Sequence, residues 1–192
     1  MRRLWRESSG TAAIEFGFLA PAFLFTMLAI FELGTVLTIQ NDLDNATQNA
    51  ARSVMTGAVQ NSVTQPTAAQ FKTNYVCNNL PASMCTGSGN HIVVSINSFA
   101  EANNQFYNYV NTTNSGLIPL DVNATQPYCI GGASAYVYLQ VAYPQPLITS
   151  ILSSISDFIF NGKSTRLITS RAVVRNEPFS MQNFVLAAGC NL

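Results

Sequence analysis

The chain has 192 residues, a formal net charge of zero, and only 9% charged residues against 48% hydrophobic ones. An average soluble domain is roughly 25% charged, so the polar surface here must come from Asn, Gln, Ser and Thr. A neutral chain whose only lysines are Lys72 and Lys163 is excluded as an electrostatic binder of nucleic acid.

The first ten residues, "MRRLWRESSG", set Arg2, Arg3 and Arg6 against Glu7 and end in Gly10. From Thr11 to Ile39 there is no lysine or arginine, and the only charges are Glu15 and Glu32. As a helix this run would be about 43 Å long, and a membrane span needs roughly 20 apolar residues. The arginines before it predict a cytoplasmic N-terminus and an exported remainder. A secretory signal has a shorter core and a small-x-small site after it. The one Ala-x-Ala within the run, Ala20–Pro21–Ala22, falls early in it, so a retained anchor is expected. A carboxylate at mid-membrane costs at least about 2.5–3.5 kcal/mol. A span over 12–31 leaves Glu32 as a boundary acid on the outer side. It leaves Glu15 near the inner boundary, where the helix dipole favours an acid by about 0.3–1 kcal/mol. Pro21 removes one helical hydrogen bond and predicts a kink that membrane helices tolerate.

Beyond the span the helical period continues. Leu43, Ala46, Ala50 and Val54 form one apolar stripe, with Asp42, Asn45, Asn49 and Arg52 off it. Gly57 is a helix stop, so one helix is expected from about 12 to 56. A short helix should start near Pro66 and end near Leu80–Pro81. Alternating, β-branched stretches predict strands near 91–98, 134–143 and 165–175, the second following the Gly131–Gly132 turn. The Asn-rich 101–116 segment reads as a surface loop. Leu147, Ile151, Ile155 and Phe158, at near-helical spacing, predict an amphipathic helix packed on the sheet. The fold class is therefore α+β: a long N-terminal transmembrane helix running on into a small exported domain, with an antiparallel sheet of about three strands plus short helices.

Cys77, Cys85, Cys129 and Cys190 all follow the apolar segment. Their spacings fit no zinc pattern and His91 is the only histidine, so no metal site is expected. An even count in an exported region suggests two disulfides. Of the three connectivities, Cys77–Cys85 with Cys129–Cys190 is favoured, the first being local and the second tying down the C-terminal tail. "NGKST", Asn161 to Thr165, ends like a phosphate-binding loop, but Asp157 stands where that loop needs glycine. No acid, base and nucleophile converge in the sequence, so the expected action is not catalytic and no cofactor is implied.

Gly10, four residues, Glu15 and then Phe16 resemble the cleavage motif of type IV prepilins, most closely the Tad/Flp branch. The chain is similar to TadE/TadF-like minor pseudopilins of the tight-adherence pilus; "AIFELG" from Ala29 and "RAVVRNEPF" from Arg171 also look like the TadE pattern. The resemblance implies a leader at 1–10, a transmembrane helix at 11–39 and an exported, pilin-like domain at 40–192. It implies cleavage after Gly10 by a prepilin peptidase, leaving a free α-amine on Thr11. Glu15, with Phe16 beside it, would then set subunit register by meeting the amine of a neighbour, and Pro21 would loosen the helix for transfer from bilayer to fibre. The implied partners are that peptidase, the major Flp pilin, a sister pseudopilin, the inner-membrane assembly platform and the lipid bilayer. The implied place is the bacterial inner membrane, as a single-pass protein. The rival expectation is an uncleaved single-pass anchor presenting a periplasmic binding or scaffold domain.

Overall fold

A computed structural model describes residues 9–86, 91–99, 120–147, 158–160, 162–180 and 190. The expected loop at 101–116 lies outside the described residues, as do residues 148–157 of the amphipathic helix expected over 146–160; the end of that segment, Phe158–Phe160, is a strand and not helix, because it pairs with the start of the following strand.

Helix α1 spans Ser9–Met55 without interruption, Pro21 included. Its second half is fixed by the apolar stripe: Leu43, Ala46, Ala50 and Val54 are all fully buried. Small Ala46 and Ala50 let the helix lie close to the sheet, while Leu43 and Val54 fill the core at either end. Gly57 ends the helix with φ +76, a left-handed conformation that glycine adopts without penalty.

The chain then turns back along α1. Thr67 caps α2 (Ala68–Phe71) through a reciprocal box: its hydroxyl accepts from Gln70 N–H, and Gln70 Oε1 accepts from Thr67 N–H. One wide turn (Lys72–Val76) and one tight turn (Cys77–Asn79) continue it. The expected helix from Pro66 to Leu80 is thus a chain of three short helical pieces that buries Phe71 and Val76. Helix α3 (Ala82–Cys85) follows Pro81, and the Cys77–Cys85 disulfide ties it back.

The sheet has the order β1-β2-β4-β3 and is antiparallel throughout. Strand β1 is Val93–Phe99, β2 Tyr136–Pro146, β3 Phe158–Phe160 and β4 Lys163–Arg175. Three strands fall where the sequence predicts them, and β3 is an added fourth. Phe160 pairs with Lys163 across a two-residue turn containing Gly162 at φ +75. The outer edge of β1 is paired at its middle: Ile96 N–H donates to Pro127 O and Cys129 N–H to Ile96 O. Pairing an edge in this way removes part of a template for aggregation.

Val137, Leu139, Val141 and Tyr143 on β2, Ile96 on β1, and Ile168 and Ala172 on β4 share the core with α1. The opposite side of β2 is buried as well. Tyr138 and Gln140 lie there, Gln140 Nε2 donating to the Tyr138 phenol oxygen at 2.8 Å. Burial raises the Tyr138 pKa, against a smaller lowering by Arg171.

Candidate assembly helix and its seam with the domain

The two halves of α1 have opposite surroundings. The second half buries one face under the sheet. The first is open: only 6% of its most apolar stretch is buried, and it is long and apolar enough to cross a membrane. Phe18, 80% exposed, marks the extreme. The core helix of a soluble protein would bury such residues, so this stretch is built for an apolar surrounding other than its own domain. Thr26 and Thr38 fold their hydroxyls back onto Ala22 O and Gly34 O, at 2.7 and 3.0 Å, which satisfies them without water.

Gly10 and Thr11 lie in the first turn of α1 and are exposed; a Cβ at Gly10 would meet nothing within 4 Å. Glu15 and Phe16 follow one turn later, also exposed. Four residues along a helix span about 6 Å, so the helix brings Gly10, Thr11, Glu15 and Phe16 together at one end of the molecule. Pro21 sits in the helix between them and the domain.

Glu32 is elsewhere in every sense. It is 4% exposed, between Phe31 and Leu33, which are open. The domain reaches along α1 as far as this carboxylate and encloses it. It therefore does not share a site with Glu15. The cysteines form two disulfides, Cys77–Cys85 and Cys129–Cys190, both remote from the N-terminal turn. The second fixes Cys190 beside Tyr128. His91 packs edge-on against Phe160, their ring centres 5.0 Å apart. Among the described residues no group of three His, Cys, Asp or Glu is placed to hold a metal.

A seam joins the domain to the end of α1, and it falls on the "RNEPF" stretch. As β4 ends, Glu177 N–H donates to Met55 O at 2.8 Å, satisfying one of the last helical carbonyls. Phe179 then lies on Gly57, so close that a Cβ there would sit 2.6 Å from its ring. Asn176 is buried, and its Nδ2 donates to Ile130 O and Gly132 O at 3.1 and 2.8 Å. Buried Gln60 adds Nε2 bonds to Ile130 O and Gly131 O at 3.0 and 3.3 Å. Two amide side chains from distant segments thus hold the Gly131–Gly132 turn. The sequence marks this seam only through the two glycines and the Arg171–Phe179 stretch, which lies outside the family match. Neither Gln60 nor Asn176 stands out in it, because their partners are backbone carbonyls. Nearby, the Tyr128 hydroxyl donates to Pro66 O at 2.9 Å. Burial, helped by Tyr75, raises the Tyr128 pKa.

These features define a class: an α+β domain clamped to one half of a single long helix whose other half is apolar and uncovered. Over residues 10–52 the chain matches the family of TadE-like proteins, which is associated with Tad pili and is not a family of enzymes. No curated protein and no solved structure matches the chain. The match begins at Gly10 and ends three residues before α1 does, so it coincides with the helix and leaves the sheet outside it.

Proposed function

We propose that the protein is a minor pseudopilin that takes part in assembling a Tad/Flp-type adhesion pilus. The carrying observation is an uncovered apolar helix that begins with Gly10, Glu15 and Phe16 at prepilin spacing, within a stretch that matches the TadE-like family. The helix spans the inner membrane with its N-terminus in the cytoplasm and the domain outside. A prepilin peptidase cuts after Gly10, and Thr11 gains a charged amine. Unpaired, an ammonium and a carboxylate are both costly in an apolar medium. The Glu15 carboxylate of one subunit meets the Thr11 amine of its neighbour, and only one axial stagger allows it. The major Flp pilin, a sister pseudopilin and the assembly platform are the partners that receive the helix.

The test is the intact mass of the chain recovered from its native membrane. Loss of residues 1–10, with Thr11 at the N-terminus, is expected; a chain still starting at Met1 would instead identify an uncleaved anchor presenting its domain. Glu15→Ala separates the register role from processing. It is expected to leave cleavage in place and to block incorporation into the assembled fibre. Normal incorporation would refute the pairing.

A further inference from the structure

Three asparagines of the chain stand two residues before a threonine: Asn45, Asn111 and Asn123. Asn-x-Ser/Thr is the acceptor pattern for N-linked glycans, and it is used on exported surface loops. The fold separates the three. Asn45 lies within α1, and Thr47 is fully buried, its hydroxyl donating to Leu43 O at 2.7 Å. A transferase must seat the asparagine and the threonine hydroxyl together, and here the hydroxyl is shut inside the core. Asn111 lies outside the described residues. Asn123 is open: Asp121, Asn123, Ala124 and Thr125 are all exposed, and none of residues 120–126 is buried. This stretch belongs to no helix or strand, and local bonds give it its shape. Asn123 N–H donates to Asp121 Oδ1 at 2.9 Å, and Gln126 Nε2 donates to Asp121 O and Ala124 O at 2.6 and 2.8 Å. Such exposed bonds open without disturbing a core, so the segment can enter an enzyme's cleft. The chain behind it is fixed. Pro127 and Cys129 bond Ile96 of β1, the Tyr128 hydroxyl donates to Pro66 O, and Cys129 is tied to Cys190.

We infer that Asn123 is a site of N-glycosylation, filled after export from a glycan carried on a lipid diphosphate. The inference rests on the domain lying outside the membrane, as in the proposed function. In the transfer, Asn123 Nδ2 forms a bond to the anomeric carbon of the first sugar as the bond from that carbon to the diphosphate oxygen breaks. The amide gives up one proton, the lipid diphosphate departs, and nothing is oxidised or reduced. Thr125 supplies the hydroxyl that an acceptor must present. Asp121 adds a carboxylate two residues before the asparagine, which a cationic group of the transferase can hold. Asn45 and Asn111 have Leu43 and Tyr109 at that place, so charge selects the same asparagine as exposure does. A glycan also suits this surface. Only 9% of the chain is charged, and the hydration of the exported domain otherwise rests on amides and hydroxyls.

The test is mass spectrometry of the full-length chain recovered from its native membranes, intact and after digestion. The peptide carrying Asn123 is expected to bear a glycan, with the added mass on that asparagine and sugar fragment ions on collision. Asn123→Gln and Thr125→Ala should each abolish it, Thr125→Ser should keep it, and Asn45→Gln should change nothing. Asp121→Ala should lower the modified fraction about tenfold, the scale of one hydrogen bond to a charged group. The substituted residues at 121, 123 and 125 are exposed, and the Cys129–Cys190 disulfide, read in the same digest, reports that each variant has folded and been exported. A bare Asn123 in the oxidised chain overturns the inference, as does a glycan that survives Thr125→Ala or is indifferent to Asp121→Ala. The N-terminus is read in the same spectra. A chain starting at Met1 with a glycan on Asn123 refutes the pseudopilin reading and leaves this one standing. A chain starting at Thr11 with a bare Asn123 does the reverse. Reduced cysteines with a bare Asn123 refute export of the domain, and with it both.

Discussion

Gly57→Ala tests whether the seam, and not the helix stripe alone, holds the domain to α1. The substitution acts twice. At φ +76 a side chain occupies left-handed backbone, at about 1–2 kcal/mol. Its Cβ would also stand 2.6 Å from Phe179 Cδ1. The ring must move, and overpacking of this kind costs about 1–3 kcal/mol. Together the loss is roughly 2–5 kcal/mol, and at about 2–4 °C per kcal/mol for a chain of this size the melting temperature should fall on the order of 10 °C. The assay is thermal unfolding of the detergent-solubilised chain, followed by the far-ultraviolet strand signal, with its disulfides intact. Phe179→Ala provides the second arm of a double-mutant cycle. In its background Gly57→Ala should cost only the backbone part, about 1–2 kcal/mol, because the ring it displaces is gone. If Gly57→Ala costs the same with and without Phe179, the two residues are not in contact and the seam is wrongly described. If it costs nothing, the left-handed turn is wrong too.

Leu43→Ala, at a fully buried stripe position, should destabilise the domain by about 2–5 kcal/mol, whereas Ile14→Ala, in the open half of α1, should leave the melting curve of the solubilised chain within about 0.5 kcal/mol. Asn176→Ala leaves Gly132 O without its side-chain donor and should cost about 1–3 kcal/mol, read as a shift of the urea midpoint at unchanged slope. Cys190→Ser opens a loop of 61 residues' separation and Cys77→Ser one of 8; chain entropy puts the losses at about 4 and 2.5 kcal/mol, so the first variant should melt lower. Burial raises the pKa of Tyr128 above that of the unfolded phenol, so its stabilising effect is complete below about pH 10 and fades as pH rises from there toward the folded-state pKa. The chain should therefore lose stability in alkali with a drop that Tyr128→Phe reduces, measured by denaturant midpoints from pH 8 to 11.

Helix α1 was legible because two independent patterns agree along it. The apolar run marks its first half, and the spacing Leu43, Ala46, Ala50, Val54 marks its second, with Gly57 as the stop. Strand β2 was legible in its alternation, though its meaning was not. Tyr138 and Gln140 look like solvent-facing residues, yet both are buried, because polar side chains that bond each other can be enclosed. The β3–β4 hairpin hid behind a rejected motif. Asn161–Gly162 says nothing as the tail of a phosphate loop, but an Asn-Gly pair between strands is a hairpin signal. The long-range partners of Gln60 and Asn176 are carbonyls about 70 and 45 residues away, which no local pattern encodes. Glu32 shows the same limit from the other side. Its distance from Thr11 placed it at a boundary, but only the tertiary fold could reveal that the domain closes over it.

The two carboxylates of α1 stand in opposite surroundings. Glu15 is open, at the end where Gly10 and Thr11 lie, and faces whatever surrounds the helix; Glu32 is enclosed by the chain's own domain. The TadE-like match covers both parts of the helix, residues 10–52, and stops before the sheet. The sheet, with its seam of Asn176, Gln60 and Phe179 on Gly57, covers one face of the second half of that helix and leaves the first half open.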